Sequence, residues 1–135
     1  MRISQKGLYA MQALTALARR YPGDAMKIHD IAQEEGLPEK FLEAILRDLK
    51  YARLVTSTRG AKGGYQLRRA PDQIFLGEVL RRIDGPLSPF EDAESLKQRI
   101  KKDPQHSALF RVILEVRDAT AQILDSTSLA ELCRP

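Results

Sequence analysis

Arg59-Gly60-Ala61-Lys62-Gly63-Gly64-Tyr65 lies between two strand-like runs, Leu54-Val55-Thr56-Ser57-Thr58 and Tyr65-Gln66-Leu67-Arg68, and reads as the tip of a β-hairpin. Its three glycines allow positive φ and close approach of the backbone to a large neighbour. Arg59 and Lys62 put cations at the turn, so the tip suits a polyanion. Tyr65 shares a strand face with Leu67 by alternation and is expected to pack at the hairpin's base.

Directly before the hairpin, residues 38–52 carry Phe41, Leu42, Ile45, Leu46 and Leu49 at a spacing that marks one apolar helix face, with charge opposite. Residues 28–35 predict a shorter helix with Ile28, Ile31 and Ala32 inward. The turn Gly36-Leu37-Pro38 joins the two, Gly36 taking the positive φ of a helix C-cap and Pro38 the first helical position. Helix, glycine turn, helix and basic hairpin form the order of a winged helix-turn-helix, whose second helix enters a DNA groove while the wing flanks it.

Toward the N-terminus, Ser4 caps a first helix with Leu8, Met11, Leu14, Leu17 and Ala18 on its inner side, stopping at Tyr21-Pro22-Gly23. Toward the C-terminus, Leu76, Val79, Leu80 and Ile83 define a fourth helix, and Asp84-Gly85-Pro86 closes the winged domain, residues 1–85. Residues 86–106, interrupted by Pro89 and Pro104, form a linker with room for a short helix on Ala93, Leu96 and Ile100. In residues 107–135, Leu109, Ile113, Val116, Thr120 and Ile123 recur at four, three, four, three, a heptad seam widened by Phe110, Val112 and Ala119. Such a helix either covers its own domain or pairs with its twin, and pairing into a homodimer is the reading favoured here. Ser128 to Glu131 matches a capping box that starts a brief last helix. The fold class expected is mainly α with a small β-hairpin: a winged helix-turn-helix domain plus a long C-terminal dimerisation helix.

At 135 residues the chain is long enough for one core, and its apolar runs are short and broken by charge. With no apolar signal region after Met1, a cytoplasmic location is expected. One cysteine, Cys133, leaves no internal disulfide and no cysteine-based metal site within the chain. It is expected near a mobile terminus as an inert thiol. His29 and His106 lack spaced partners for a metal, so no metal site is expected.

The net charge is +4, and it is unevenly spread. Residues 40–69 hold eight basic residues against two acidic ones, over the third helix and the wing. That focus has the form of a nucleic-acid footprint. On the outward face of the third helix, Glu39, Lys40, Glu43, Ala44 and Arg47 are candidates for base edges or phosphates. Glu43 can accept from a cytosine amino group, Ala44 can touch a thymine methyl and Arg47 can meet guanine or phosphate. Lys62 is a phosphate candidate at the wing, and Arg2, Ser4 and Lys6 cluster where a helix N-terminus already favours an anion.

Several short stretches resemble the Rrf-two family of bacterial transcriptional regulators. They are Ile3-Ser4-Gln5-Lys6-Gly7 with Tyr9, Ile31-Ala32, Phe41-Leu42-Glu43, Leu54-Val55, Arg59-Gly60 and Gly63-Gly64-Tyr65-Gln66-Leu67. Gly77-Glu78, Asp84-Gly85-Pro86 and Ser126-Thr127-Ser128-Leu129 extend the similarity almost to the end. The resemblance implies a dimeric winged helix-turn-helix transcription factor, paired through the long C-terminal helix, on palindromic promoter sites in double-stranded DNA, with Arg59 entering or lining the minor groove; a repressor is the function expected. Sensing members carry three cysteines between the fourth and fifth helices as iron–sulfur ligands, and this linker has none. Glu91, Asp92, Glu94, Asp103 and His106 offer only oxygen and nitrogen, so no cofactor is expected. Gly85-Pro86-Leu87-Ser88-Pro89 is similar to the cluster-free branch, which works with a cysteine-biosynthetic enzyme as partner. Three positions depart from the family: Ala44 where Gln is common, Arg53 where Gly is usual, and Lys27 where a capping Ser or Thr is usual.

Two other function classes compete with the DNA-binding regulator. An adaptor would use the winged fold and the seam to dock a metabolic enzyme with little DNA affinity, and the salt dependence of DNA binding separates the two. An enzyme would need the glycine loop as a phosphate cradle, but Lys62 stands between glycines and the loop runs into a strand rather than a helix. No catalytic residues are expected.

Overall fold

The computed structural model describes residues 2–87 and 92–134. The chain runs α1 (Gln5–Ala18), α2 (Ile28–Glu35), α3 (Glu39–Tyr51), β1 (Val55–Thr58), β2 (Gly64–Leu67), α4 (Leu76–Asp84), α5 (Ala93–Lys102), α6 (Ser107–Ser126) and α7 (Leu129–Leu132). The mainly helical class with an antiparallel hairpin is the one expected. Ser88, Pro89 and Glu91 lie outside the described residues.

α1 is the centre of the core, with α2, α3, α4, α7 and β2 packed around it. Its first turn is held by Ser4, whose hydroxyl accepts from the Gly7 N–H at 2.9 Å. Ala10, Ala13, Leu14, Ala16 and Leu17 are buried. Leu8, expected inward, is instead 48% exposed. The inner stripe is built from alanines that let several helices approach, and a reading weighted by large side chains misplaces it.

α2 starts at Lys27 without a side-chain cap and ends at Gly36, φ 65°. α3 starts one residue later than expected, with Pro38 in extended backbone as its cap. Leu42, Ile45, Leu46 and Leu49 are fully buried, whereas Phe41, grouped with them by spacing, is 60% exposed. At about 100° per residue Phe41 falls at the rim of the apolar stripe, where its ring lies against Tyr9 at 6.4 Å. Between α3 and β1, Arg53 adopts φ 61°, the left-handed conformation for which glycine is the usual occupant.

β1 and β2 pair Val55 with Leu67 and Thr58 with Gly64. A contact that the sequence did not reveal widens the hairpin. Met26 and Tyr65 exchange backbone hydrogen bonds at 2.7 and 2.8 Å, so β2 has a neighbour on each side. Gly64 is required there twice over, since it takes φ 142° and any Cβ would overlap the Met26 carbonyl.

α5 and α6 form a helical pair sealed by Leu96 and Phe110, with the Arg99 guanidinium 5.3 Å from the Phe110 ring centre. α4 is tied to α6 by a two-pronged pair in which Arg81 donates to both carboxylate oxygens of Asp125 at 2.6 and 2.8 Å. Each holds the other's charge: the carboxyl of Asp125 lies below the usual carboxylate range and the guanidinium of Arg81 is raised, both chiefly through these hydrogen bonds. Gly77 makes room for the pair, because a Cβ there would overlap Asp125. After α6 the chain returns to the first domain. Ser128 bridges to Phe75, the Ser128–Glu131 capping box forms, and Leu129 is fully buried in the core. Cys133, expected near a mobile end, is half-buried with its Sγ 4.0 Å from the Thr15 carbonyl.

Candidate nucleic-acid interface

The buried stripe of α3 turns its other face outward, and Glu39, Lys40, Glu43, Ala44 and Arg47 are all exposed. Glu39 sits 3.4 Å from the His29 ring at the start of the helix. Lys40, Glu43 and Arg47 have no ion-pair partner among the described residues. Lys50, one turn beyond Arg47, donates to the Ser57 hydroxyl at 2.7 Å and joins the helix to the wing.

Residues 59–63 form the turn of the wing, with Arg59 and Lys62 exposed. Lys27 anchors this turn by donating to the Gly60 carbonyl at 3.3 Å. The residue that departs from the family's capping pattern is therefore a wing tether. Tyr65 is half-buried against the core at the wing's base, as alternation predicted.

The start of α1 is arranged differently from a free anion site. Ser4 donates its N–H to Asp84 at 2.9 Å and its hydroxyl to the same carboxylate, so the anion at this helix start is the chain's own. Gly7 permits the approach, since a Cβ would stand 2.7 Å from Asp84. Lys6 is paired to Asp48 of α3 at 2.6 Å, and Arg2 is exposed. Ser4, Lys6, Tyr9, Phe41 and Ala44 line one groove of about 450 Å³ between α1 and α3.

Two groups of basic residues in the winged domain contrast. Lys6, Arg19, Arg20, Arg69 and Arg81 each meet a carboxylate within 2.9 Å. Lys40, Arg47, Arg53, Arg59, Lys62 and Arg68 meet none among the described residues. The unpaired set occupies α3, the turn after it and the wing. Arg53 and Arg68 were not among the DNA-contact candidates read from the sequence, although the count of basic residues across 40–69 included both.

On α6, Leu109, Val112, Val116 and Ile123 are 48–64% exposed. Ile113 and Thr120, placed in the seam by spacing, are half-buried, and the Thr120 hydroxyl donates to the Val116 carbonyl. No helix among the described residues is long and apolar enough to cross a membrane.

An exposed helix after a glycine turn, followed by a cationic hairpin, defines a winged helix-turn-helix DNA-binding regulator. The chain belongs to the Rrf2 (Rrf-two) family, whose model, described as an iron-dependent transcriptional regulator, matches residues 3–135. It is 37% identical to the transcriptional regulator CymR of Bacillus subtilis over 132 residues, which is 98% of this chain and 89% of that one. The solved structure of CymR, the global cysteine regulator of B. subtilis, superposes with a TM-score of 0.85 at 34% identity, covering 98% and 96% of the two chains. IscR of T. potens gives 0.74 at 30% identity, covering 98% and 85%. These relatives are transcriptional regulators, and the chain is a regulator rather than an enzyme.

The residues do not fit the iron–sulfur cluster that sensing members of the family carry. Such clusters are held mainly by thiolates, and the one cysteine here is packed beside α1. Asp92 caps α5 through Ser95, and Asp103 holds His106 at 2.9 Å. No group of three or more His, Cys, Asp or Glu among the described residues is arranged to hold a metal ion.

Proposed function

We propose that the protein is a homodimeric, sequence-specific repressor that lays α3 in the major groove and the wing, residues 59–64, on the minor groove or backbone. The observation that carries this reading is the cluster of cations on α3, the turn after it and the wing, Lys40, Arg47, Arg53, Arg59, Lys62 and Arg68, that meet no carboxylate among the described residues, whereas Lys6, Arg19, Arg20, Arg69 and Arg81 are paired. Unpaired cations on one face attract phosphates, and base-edge contacts from Glu43, Ala44 and Arg47 then supply the sequence preference. The exposed stripe Leu109, Val112, Val116 and Ile123 supports pairing through α6, because an apolar row at heptad spacing is satisfied by a second copy. A homodimer matches a palindrome with half-sites about one helical turn apart, or a multiple of that.

The reading includes no cluster, since the chain supplies a single cysteine. The similarity to CymR, the global cysteine regulator of B. subtilis, directs the search for regulated genes first to cysteine and sulfur metabolism. The test is the affinity of the purified protein for promoter-length DNA as salt is raised. A linear fall of log affinity with log salt, and a loss of about 1–3 kcal/mol in Arg59→Ala at fixed salt, are expected. Affinity indifferent to both salt and Arg59→Ala would contradict the reading.

A further inference from the structure

A cleft of about 850 Å³ opens between the end of α3 and β1, lined by Arg47, Lys50, Tyr51, Arg53, Ser57 and Arg68 among others. Four of these side chains are cations, and none meets a carboxylate among the described residues. Four like charges around one concavity repel each other unless an anion joins them. Arg53 adds an independent observation. It holds φ 61° just after α3, where its Cβ is strained and glycine would serve the turn, while its side chain meets no carboxylate among the described residues; a charged side chain kept at a strained position points to a role with a ligand.

We propose that this cleft is a second phosphate seat, which takes a phosphodiester of the DNA backbone beside the wing. The inference rests on the DNA-binding reading of the same face and extends its footprint to Arg53 and Arg68. DNA is the source the geometry favours. Arg47 belongs both to this cleft and to the outward face of α3, and β1 of the wing forms the opposite wall, so a duplex lying on α3 and the wing passes the opening. Tyr51, 73% exposed at the rim, offers a flat surface to a sugar. Lys50 is held toward the cleft by its bond to Ser57.

The test compares the full chain with Arg53→Gly, Arg68→Ala and Arg53→Lys on a duplex that the wild type retains, over a range of salt. Arg53→Gly is expected to melt at a higher temperature, since the backbone strain is relieved, yet to bind DNA roughly three- to tenfold more weakly with a salt slope smaller by about 0.9. The loss is equal on a cognate and a scrambled duplex, because a phosphate contact carries no sequence information. Arg68→Ala behaves alike in affinity, and Arg53→Lys keeps the slope. Wild-type slope and affinity in both Arg53→Gly and Arg68→Ala, alongside a weakened Arg59→Ala, would overturn the second seat and leave the regulator reading intact. Failure of the wild type to bind any duplex would overturn both. Pyrophosphate serves as the other arm: protection of the wild type but not Arg53→Gly against heating, with DNA slopes unchanged, would assign the cleft to a free phosphorylated ligand.

Discussion

Gly64 carries two constraints at one atom. Its φ of 142° is poorly accessible to a side chain, and the space a Cβ needs is taken by the backbone of Met26, whose carbonyl carbon would stand 2.5 Å away. Gly64→Ala is therefore expected to destabilise the fold by about 2–4 kcal/mol and to unseat the wing from Met26. Urea titration gives the first number, and hydrogen exchange at the Tyr65 and Met26 amides gives the second. Wild-type protection of those amides in a folded variant would show that the wing does not depend on this approach. Gly60 has open space around it, so its requirement is conformational alone. Residue types at the wing were thus legible from spacing, but the partner on the far side of β2 was not. Met26 lies 39 residues before Tyr65 and shares no periodicity with it.

At the scale of elements, α6 has two faces with different fates. Phe110 faces α5 and Asp125 reaches α4, while Val116 and Ile123 are exposed. Val116→Glu with Ile123→Glu is expected to convert a homodimer to monomer with the fold retained, read by sedimentation velocity. A dimer that survives the double change would place the interface elsewhere. The heptad was legible in sequence. Its phase was less so: Ile113 and Thr120 fit the spacing, but Val112 is the more exposed residue. Phase is set by where α4 and α5 pack, which is tertiary information.

The Arg81–Asp125 pair makes the attachment of α6 dependent on pH. Asp125 has its pKa lowered in the folded state by hydrogen bonds from Arg81. The unfolded chain therefore binds the proton more readily, and the pair's contribution is present above the ordinary aspartate value of about 3.9 and lost as pH falls through the lower folded value. Both side chains are more than two-fifths exposed, so solvent screening limits the pair to about 0.5–1 kcal/mol. Asp125→Asn is expected to flatten the acid limb of stability against pH below about pH 4. An acid limb identical to the wild type would show that other carboxylates govern it. Gly77→Ala, by pushing Asp125 aside, should imitate the loss at neutral pH.

For the whole molecule, one pattern ties sequence to function: carboxylates pair Lys6, Arg19, Arg20, Arg69 and Arg81, while the cations of α3 and the wing have no ion pair among the described residues. The order of helix, glycine turn, helix and hairpin was readable because each boundary carries its own chemistry: Ser4 caps α1, Gly36 ends α2 in the left-handed region and the wing glycines allow the turn. The exposure of Leu8 and Phe41 was not readable, since both sit at the rims of stripes whose extent depends on how closely neighbouring helices approach. The taking of the α1 start by Asp84 was hidden for the same reason, the two residues being 80 apart in the chain.

The central claim is sequence-specific DNA binding by a pair of chains, and selection from fragmented bacterial DNA by the purified protein, at two salt concentrations, tests it most directly. The account predicts enrichment of a palindrome whose half-sites lie about one helical turn apart or a multiple of that, with the enriched site retained at the higher salt. Retention that shows no sequence preference and vanishes at moderate salt would contradict it.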